Sequence, residues 1–181
     1  MKPCDDNEKA TVAAACRGDV EAQAVLYERH YAAMVWIAYS ALLDRGLAED
    51  AAQQAFARAF EKLPRLRNTE RFGPWLTAIC RNAANDMLRD RQRRANLQKV
   101  ATRESQSDRN HNGFDRLVKE AVDSLPAMYR EIVVLRYYTN MSYREIESVL
   151  GISGDKVKGR LARARKRIRI RLEEEGFRRE Q

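Results

Sequence analysis

Ser142 and Glu145, followed by Ile146, Val149 and Leu150, fix where one helix begins and which side of it is buried. A serine and a glutamate three residues apart take up two orphan backbone amides reciprocally, which makes a capping box. Gly151 can then supply a left-handed turn, and Ser153 is placed to cap a second helix. Two short helices joined by a tight glycine turn read as a helix-turn-helix, whose second helix enters the major groove of DNA.

The second helix carries Lys156, Lys158, Arg160, Arg163, Arg165, Lys166, Arg167, Arg169 and Arg171 with no acid among them. Val157, Leu161, Ala164, Ile168 and Leu172 recur on the opposite stripe, so one side packs while the rest presents cations. A solvated basic face is the plainer alternative. The length and single sign of the block, directly after a capped glycine turn, favour a polyanion.

Composition points the same way. The 181 residues carry a net charge of +8, 44% are hydrophobic and 33% are charged, which suits a packed protein with a polyanionic partner. With only 8 Gly and 4 Pro, and no alternating β-branched runs, the fold class read here is all-α. That removes Rossmann and hydrolase scaffolds from contention. Cys4, Cys16 and Cys80 form an odd set without metal-ligand spacing, and His30 and His111 are isolated. Neither a Walker loop, nor HExxH, nor GxSxG is present, so no catalytic residue, metal or cofactor is expected. The N-terminus lacks an apolar signal region and no stretch is long enough to span a bilayer, which predicts a cytoplasmic protein with no membrane insertion of its own.

Along the chain, Asp19 can cap a helix running to about Leu43, with Val20, Leu26, Tyr27, Tyr31, Met34, Val35, Ala38 and Leu42 on its buried side. A short helix around residues 8–17 precedes it, and Asp44-Arg45-Gly46 is read as a break. The next helix runs from Ala48 to Leu63, ahead of Pro64 and a polar loop through Arg71. Phe72, Trp75, Leu76, Ile79 and Ala83 open another helix, Pro74 being tolerated in its first turn, which ends in the basic block Arg89–Arg94. Apolar periodicity then vanishes and resumes at Leu117, Val118, Ala121 and Val122, continuing through Met128, Ile132, Leu135 and Tyr138. The organisation is therefore a helical domain over 1–94, a flexible linker over 95–115 and a helix-turn-helix domain over 116–181.

In order and spacing these segments resemble a bacterial extracytoplasmic-function (ECF) sigma factor of the sigma-70 family. Region 2 is resembled in Ala48-Glu49-Asp50-Ala51-Ala52-Gln53-Gln54-Ala55-Phe56, in Phe72-Gly73-Pro74-Trp75-Leu76 and in Ile79-Cys80-Arg81-Asn82-Ala83-Ala84-Asn85-Asp86. Region 4 is resembled in Leu125-Pro126-Ala127-Met128-Tyr129-Arg130-Glu131, in Ser142-Tyr143-Arg144-Glu145-Ile146 and in Val157-Lys158-Gly159-Arg160-Leu161. Gln54 stands where members often carry Glu, Gly159 where they carry Ser, and Gly154-Asp155-Lys156 replaces a Pro- or Thr-bearing turn.

The resemblance implies a dissociable subunit of RNA polymerase, monomeric when free, with core polymerase and both duplex and melted promoter DNA as partners. An anti-sigma factor is the implied regulator. It assigns Glu49, Asp50, Gln53, Gln54 and Phe56 to core binding. Asn68, Thr69, Arg71, Phe72, Trp75, Asn82, Asn85, Asp86 and Arg89 would face the downstream promoter element and its extruded base, with Phe72 and Trp75 alternatively helix-start core residues, the reading favoured for Trp75. Ser142, Arg144, Ser153, Asp155, Lys156, Lys158, Arg160, Arg163 and Arg167 would face the upstream (minus-thirty-five) element, although Arg167, Arg169 and Arg171 also suit phosphate or the polymerase flap. The rival reading is a stand-alone helix-turn-helix regulator, which would need a dimer and leaves the 53–60 helix without a task.

Overall fold

The computed structural model describes residues 6–97 and 113–175, and every regular element among them is helical. The first module contains α1 (Asp6–Cys16), α2 (Val20–Leu42), α3 (Arg45–Lys62) and α4 (Phe72–Leu97), with 3-10 turns at Leu63–Arg65 and Thr69–Arg71. α2 lies at its centre, packed on the other three helices. Asp19 caps it, accepting from the Ala22 amide at 3.0 Å. Its end is set by Leu43, a non-glycine residue held at φ 51° whose N–H donates to the Tyr39 carbonyl.

Three expectations need correction here. Asp44 is not part of a break: its carboxylate accepts from the Leu47 amide at 3.1 Å, so α3 starts at Arg45 with Gly46 inside its first turn. Val20 opens α2 but is 74% exposed, because it lies on the opposite side of the first turn from Ala22, which is the residue buried there. α4 runs past Arg94 to Leu97, since nothing in that basic block breaks a helix. Most of the expected linker, residues 98–112, lies outside the described residues, as do Cys4 and His111.

The second module contains α5 (Gly113–Asp123), α6 (Ala127–Val133), a π-helical turn at Val134–Tyr138, α7 (Tyr143–Leu150) and α8 (Gly154–Glu174). The wide turn frees backbone groups that its neighbours take up. Thr139 donates its hydroxyl to the Leu135 carbonyl at 2.6 Å, and the Met141 amide donates to the same oxygen at 3.0 Å. Two residues expected inside, Met128 and Tyr138, are 44% and 36% exposed, the first because it faces outward from the short α6. Val157, Leu161 and Ala164 form the buried stripe of α8 as their spacing implies, whereas Ile168 and Leu172 are only half-buried where the helix outruns its partners.

The modules touch. α2 packs against α6 and the π-helical turn, and α4 packs against α7, so one apolar cluster continues from Met34 and Ile37 to Ile132, Leu135, Met141 and Ile146. Among the described residues no helix is long and apolar enough to cross a membrane. No group of three His, Cys, Asp or Glu residues among them could hold a metal ion.

One buried polar contact ties α1 to α2. His30 is fully buried, its Nε2 3.1 Å from Glu8 Oε1, with its ring edge-on to Phe72 at 5.3 Å. Burial, reinforced by the Arg29 guanidinium, lowers its pKa to about 4, so the ring is neutral at pH 7 and Nε2–H donates to the carboxylate. Nδ1 is left buried without a partner. Unfolded, His30 takes a proton near pH 6.5; folded, it resists until about pH 4. Stability from this site is therefore complete above pH 6.5 and declines as pH falls toward 4, by on the order of 3 kcal/mol in all. Denaturant titrations from pH 7.5 to 4 should show this loss in the native protein and a shallower one in His30→Gln.

Candidate nucleic-acid interface

On α3, Ala48, Ala51, Ala52, Ala55 and Ala59 are completely buried, which leaves the intervening positions facing out. Asp50, Gln53 and Gln54 are exposed; Glu49 is half-exposed and accepts from Arg45 Nε at 3.0 Å. Phe56 does not join them. It is 2% exposed, its ring 4.7 Å from Tyr27 and 5.7 Å from Phe60, so it anchors the helix rather than presenting a surface. Four of the five residues assigned to core binding thus share an accessible face.

The loop before α4 is more ordered than its polar sequence suggests. Asn68 caps the Thr69–Arg71 turn, its side-chain oxygen accepting from the Glu70 amide at 3.0 Å. Lys9 on α1 bridges to Glu70 at 2.8 Å and holds that carboxyl below its usual pKa by hydrogen bond and charge. The loop is therefore fastened to α1 by a pair that only the fold brings together. Asn68 and Arg71 are exposed and Thr69 half-buried, which leaves a polar rim. Phe72 cannot contribute to it, being fully buried beside His30. Trp75, half-buried with its ring 6.1 Å from Phe72, is the aromatic surface that remains near the loop.

Further along α4, Asn82, Asp86 and Arg89 are exposed and Asn85 is half-exposed. The basic block is internally compensated: Arg89 lies 3.3 Å from Asp86, Arg93 3.7 Å from Asp90, and Arg91 3.6 Å from Asp44. These pairs are solvated and individually worth little, so a phosphate can take the carboxylate's place at small cost. Cys80, inside the same helix, is inert: burial pushes its thiol up to about 12, and Sγ donates to the Met34 carbonyl.

In the second module the capping box forms as the sequence implies. The Ser142 amide donates to Glu145 Oε2 at 2.7 Å, and the Glu145 amide donates to Ser142 Oγ at 3.3 Å. Gly151 ends α7 at φ 64°, its N–H reaching the Glu147 carbonyl at 2.9 Å. Ser153 occupies the cap position of α8 but its hydroxyl makes no capping bond. Instead the Glu147 carboxylate crowds Gly154, where an added Cβ would collide with it, placing an anion at the N-terminus of α8. Arg136, unremarked in the sequence, donates to the Met141 carbonyl at 2.9 Å and lies over the Tyr143 ring, bracing the approach to α7.

Ser142, Arg144, Ser153, Asp155, Lys156, Lys158 and Arg163 are exposed around this corner, and Arg160 is half-exposed. Arg167 is placed differently. Its guanidinium stacks over Tyr129, 5.4 Å from the ring centre, in a groove of about 500 Å³ shared with Arg163, Lys166 and Arg171. It lies about 20 Å along the helix from Ser153, too far to share a base-reading corner with it. The tip of α8 and the corner before α7 can read a groove edge, while cations farther along can hold backbone.

Residues 26–94 match the family described as Sigma-70 region 2, and residues 115–168 match Sigma-70, region 4. The RNA polymerase sigma factor SigV of Bacillus subtilis is 31% identical over 140 residues, covering 77% of this chain and 84% of that protein. The probable RNA polymerase sigma factor RfaY of Xanthomonas campestris pv. campestris is 33% identical over 146 residues, covering 75% of this chain but only 36% of that longer protein. Among solved structures, CnrH in complex with the cytosolic domain of CnrY matches with a TM-score of 0.69 and 28% identity, over 93% of this chain and 98% of that one.

The capping box should behave as one unit. Ser142→Ala and Glu145→Ala are each expected to cost about 1 kcal/mol. Their double mutant should fall short of the sum by at least about 0.5 kcal/mol in chemical denaturation; strict additivity would mean that the two side chains act separately.

Proposed function

The chain belongs to the ECF branch of the sigma-70 family, and from that we propose that its two modules bind core RNA polymerase and direct it to specific promoters. The observation carrying this reading is the pairing, in one chain and in the family's order, of an outward polar face on α3 with a helix-turn-helix tipped by unburied cations. Module one comprises residues 1–94 and module two residues 116–181, joined by 95–115. Glu49, Asp50, Gln53 and Gln54 dock on core polymerase. Asn68, Thr69, Arg71 and Trp75, with Asn82, Asn85, Asp86 and Arg89, face the downstream element and the base extruded as it melts. Ser142, Arg144, Ser153, Asp155, Lys156, Lys158, Arg160 and Arg163 face the upstream element, and Arg167 serves phosphate or polymerase.

The protein works in the cytoplasm as a non-enzymatic subunit, monomeric when free. Its regulator is an anti-sigma factor, a reading supported by the relative CnrH being held by the cytosolic domain of CnrY.

Run-off transcription with core polymerase over a randomised promoter library tests the function directly. Selective initiation is expected; DNA binding without any effect on core would identify a stand-alone regulator instead. Asp50→Lys should weaken core binding at least tenfold in a titration, while the variant retains its helicity. Arg160→Ala should lower activity by about 1–3 kcal/mol on promoters with guanine at the contacted position and much less on others. A uniform loss on all promoters would make Arg160 a phosphate contact.

A further inference from the structure

α1 precedes residues 26–94, which match region 2, and carries none of the side chains assigned to polymerase or DNA. Two of its consecutive residues nevertheless hold the loop before α4. Lys9 Nζ lies 2.8 Å from Glu70 Oε1, inside the Thr69–Arg71 turn. Its neighbour Glu8 is buried, with Oε1 3.1 Å from His30 Nε2 and Oε2 3.7 Å from Arg29. The His30 ring in turn meets Phe72, the first residue of α4 and the exit of the loop. Val12 and Ala15 of α1 belong to the same apolar cluster as Leu63 at the loop's entrance, and α1 packs on both 3-10 turns. The loop's own bonds are local: the Glu70 amide donates to Asn68 Oδ1 at 3.0 Å, and the Arg71 amide to the Asn68 carbonyl at 3.1 Å. They shape the turn without fixing it against the helices.

We propose that α1 is a positioning element for base capture, in which the Lys9–Glu70 bridge holds Asn68, Thr69 and Arg71 in the conformation that receives the extruded base. The inference rests on the promoter-directing function above and adds to it residues that touch neither DNA nor polymerase. An unstacked base needs a formed site to take it up, and a loop already ordered loses less conformational freedom on capture. Asn68 caps the turn that contains Glu70, so a restraint on the Glu70 side chain is passed to the Asn68 side chain at the rim. Phe72, packed against His30, fixes the exit of the loop but leaves residues 68–71 to be set by Lys9. The side chains of Lys9 and Glu70 are 39% and 60% exposed. A pair so solvated adds little to global stability, and its effect falls on the loop rather than on the fold. Reversing the charge of Lys9 is compatible with α1 itself, since an acid near the start of a helix suits its N-terminal partial charge.

Charge reversal separates positioning from direct contact. In the free full chain, Lys9→Glu and, separately, Glu70→Lys should raise amide hydrogen exchange at Glu70 and Arg71. The swap Lys9→Glu with Glu70→Lys should return it to the native level. With core polymerase, each single variant should lower promoter opening by about two- to fivefold, the range open to a solvated pair. Opening is read from a fluorescent base analogue at the extruded position, and the swap should recover it. Binding to a duplex carrying the upstream element alone should be unchanged, which a general folding defect would not allow. Either readout unchanged in the single variants, or a swap that fails to recover it, would overturn the positioning role. A Lys9 that met phosphate directly would give that second result, with the swap as impaired as Lys9→Glu and Glu70→Lys undiminished. If the native chain opened no promoter while the exchange pattern behaved as expected, the bridge would still set the loop and the promoter-directing reading would fall.

Discussion

The close approach of α3 to α2 and α4 rests on Ala48, Ala51, Ala52, Ala55 and Ala59, whose side chains add almost nothing between the helix axes. With a methyl group at most inward positions α3 adds little bulk between itself and its neighbours, and the larger gap is filled by Phe56, against Tyr27, with half-buried Phe60 beside it. This constraint decides the rest of the first module. A helix held on two sides has a narrow outer face, and Asp50, Gln53 and Gln54 are polar because that face is what remains. The same packing fixes α4, and with it the angle at which Asn82 and Asp86 are presented. Apolar burial sets the frame, and the functional surface is its complement.

Local signals made the second module readable in advance. The Ser142–Glu145 box, the left-handed Gly151 and the stripe Val157, Leu161, Ala164 each involve residues within two turns of one another, so the sequence alone determines their geometry. Asp44 shows the limit. An aspartate after a helix reads equally as a break or as the cap of the next helix, and only the direction of the following chain decides between them. Phe56 and Phe72 show a second limit. Motif position places them among functional residues, but burial depends on Tyr27 and His30, distant in sequence. The Lys9–Glu70 bridge, the π-helical turn and the whole junction between modules carried no periodic signal, because each arises from tertiary contact.

Within α8 the cations are not equivalent. Near the C-terminal end Arg171 is paired with Glu174 and Glu175, and Arg167 is engaged with Tyr129. Toward the tip the one carboxylate near Lys158, Asp155, is 3.9 Å away and almost fully exposed. Among the described residues Lys156, Arg160, Arg163, Arg165, Lys166 and Arg169 have no carboxylate partner, so the free positive field runs from the first turn to about Arg169, and the helix N-terminus adds its own partial charge at the tip. Glu147 beside Gly154 offsets part of that field, so the tip's attraction for phosphate comes chiefly from lysine and arginine side chains.

The compensated arginines of α4 bear on how such a protein searches a chromosome. Each of Arg89, Arg91 and Arg93 already has a carboxylate within 4 Å, so this surface shows little net charge to a passing duplex. If α4 meets DNA as proposed, its own share of the long-range pull is small, and the net charge of +8 acts chiefly through α8. A strand pressed against α4 by binding elsewhere would then bring phosphates that displace Asp44, Asp86 and Asp90. The grip of this helix would strengthen late in the encounter, which separates scanning from commitment.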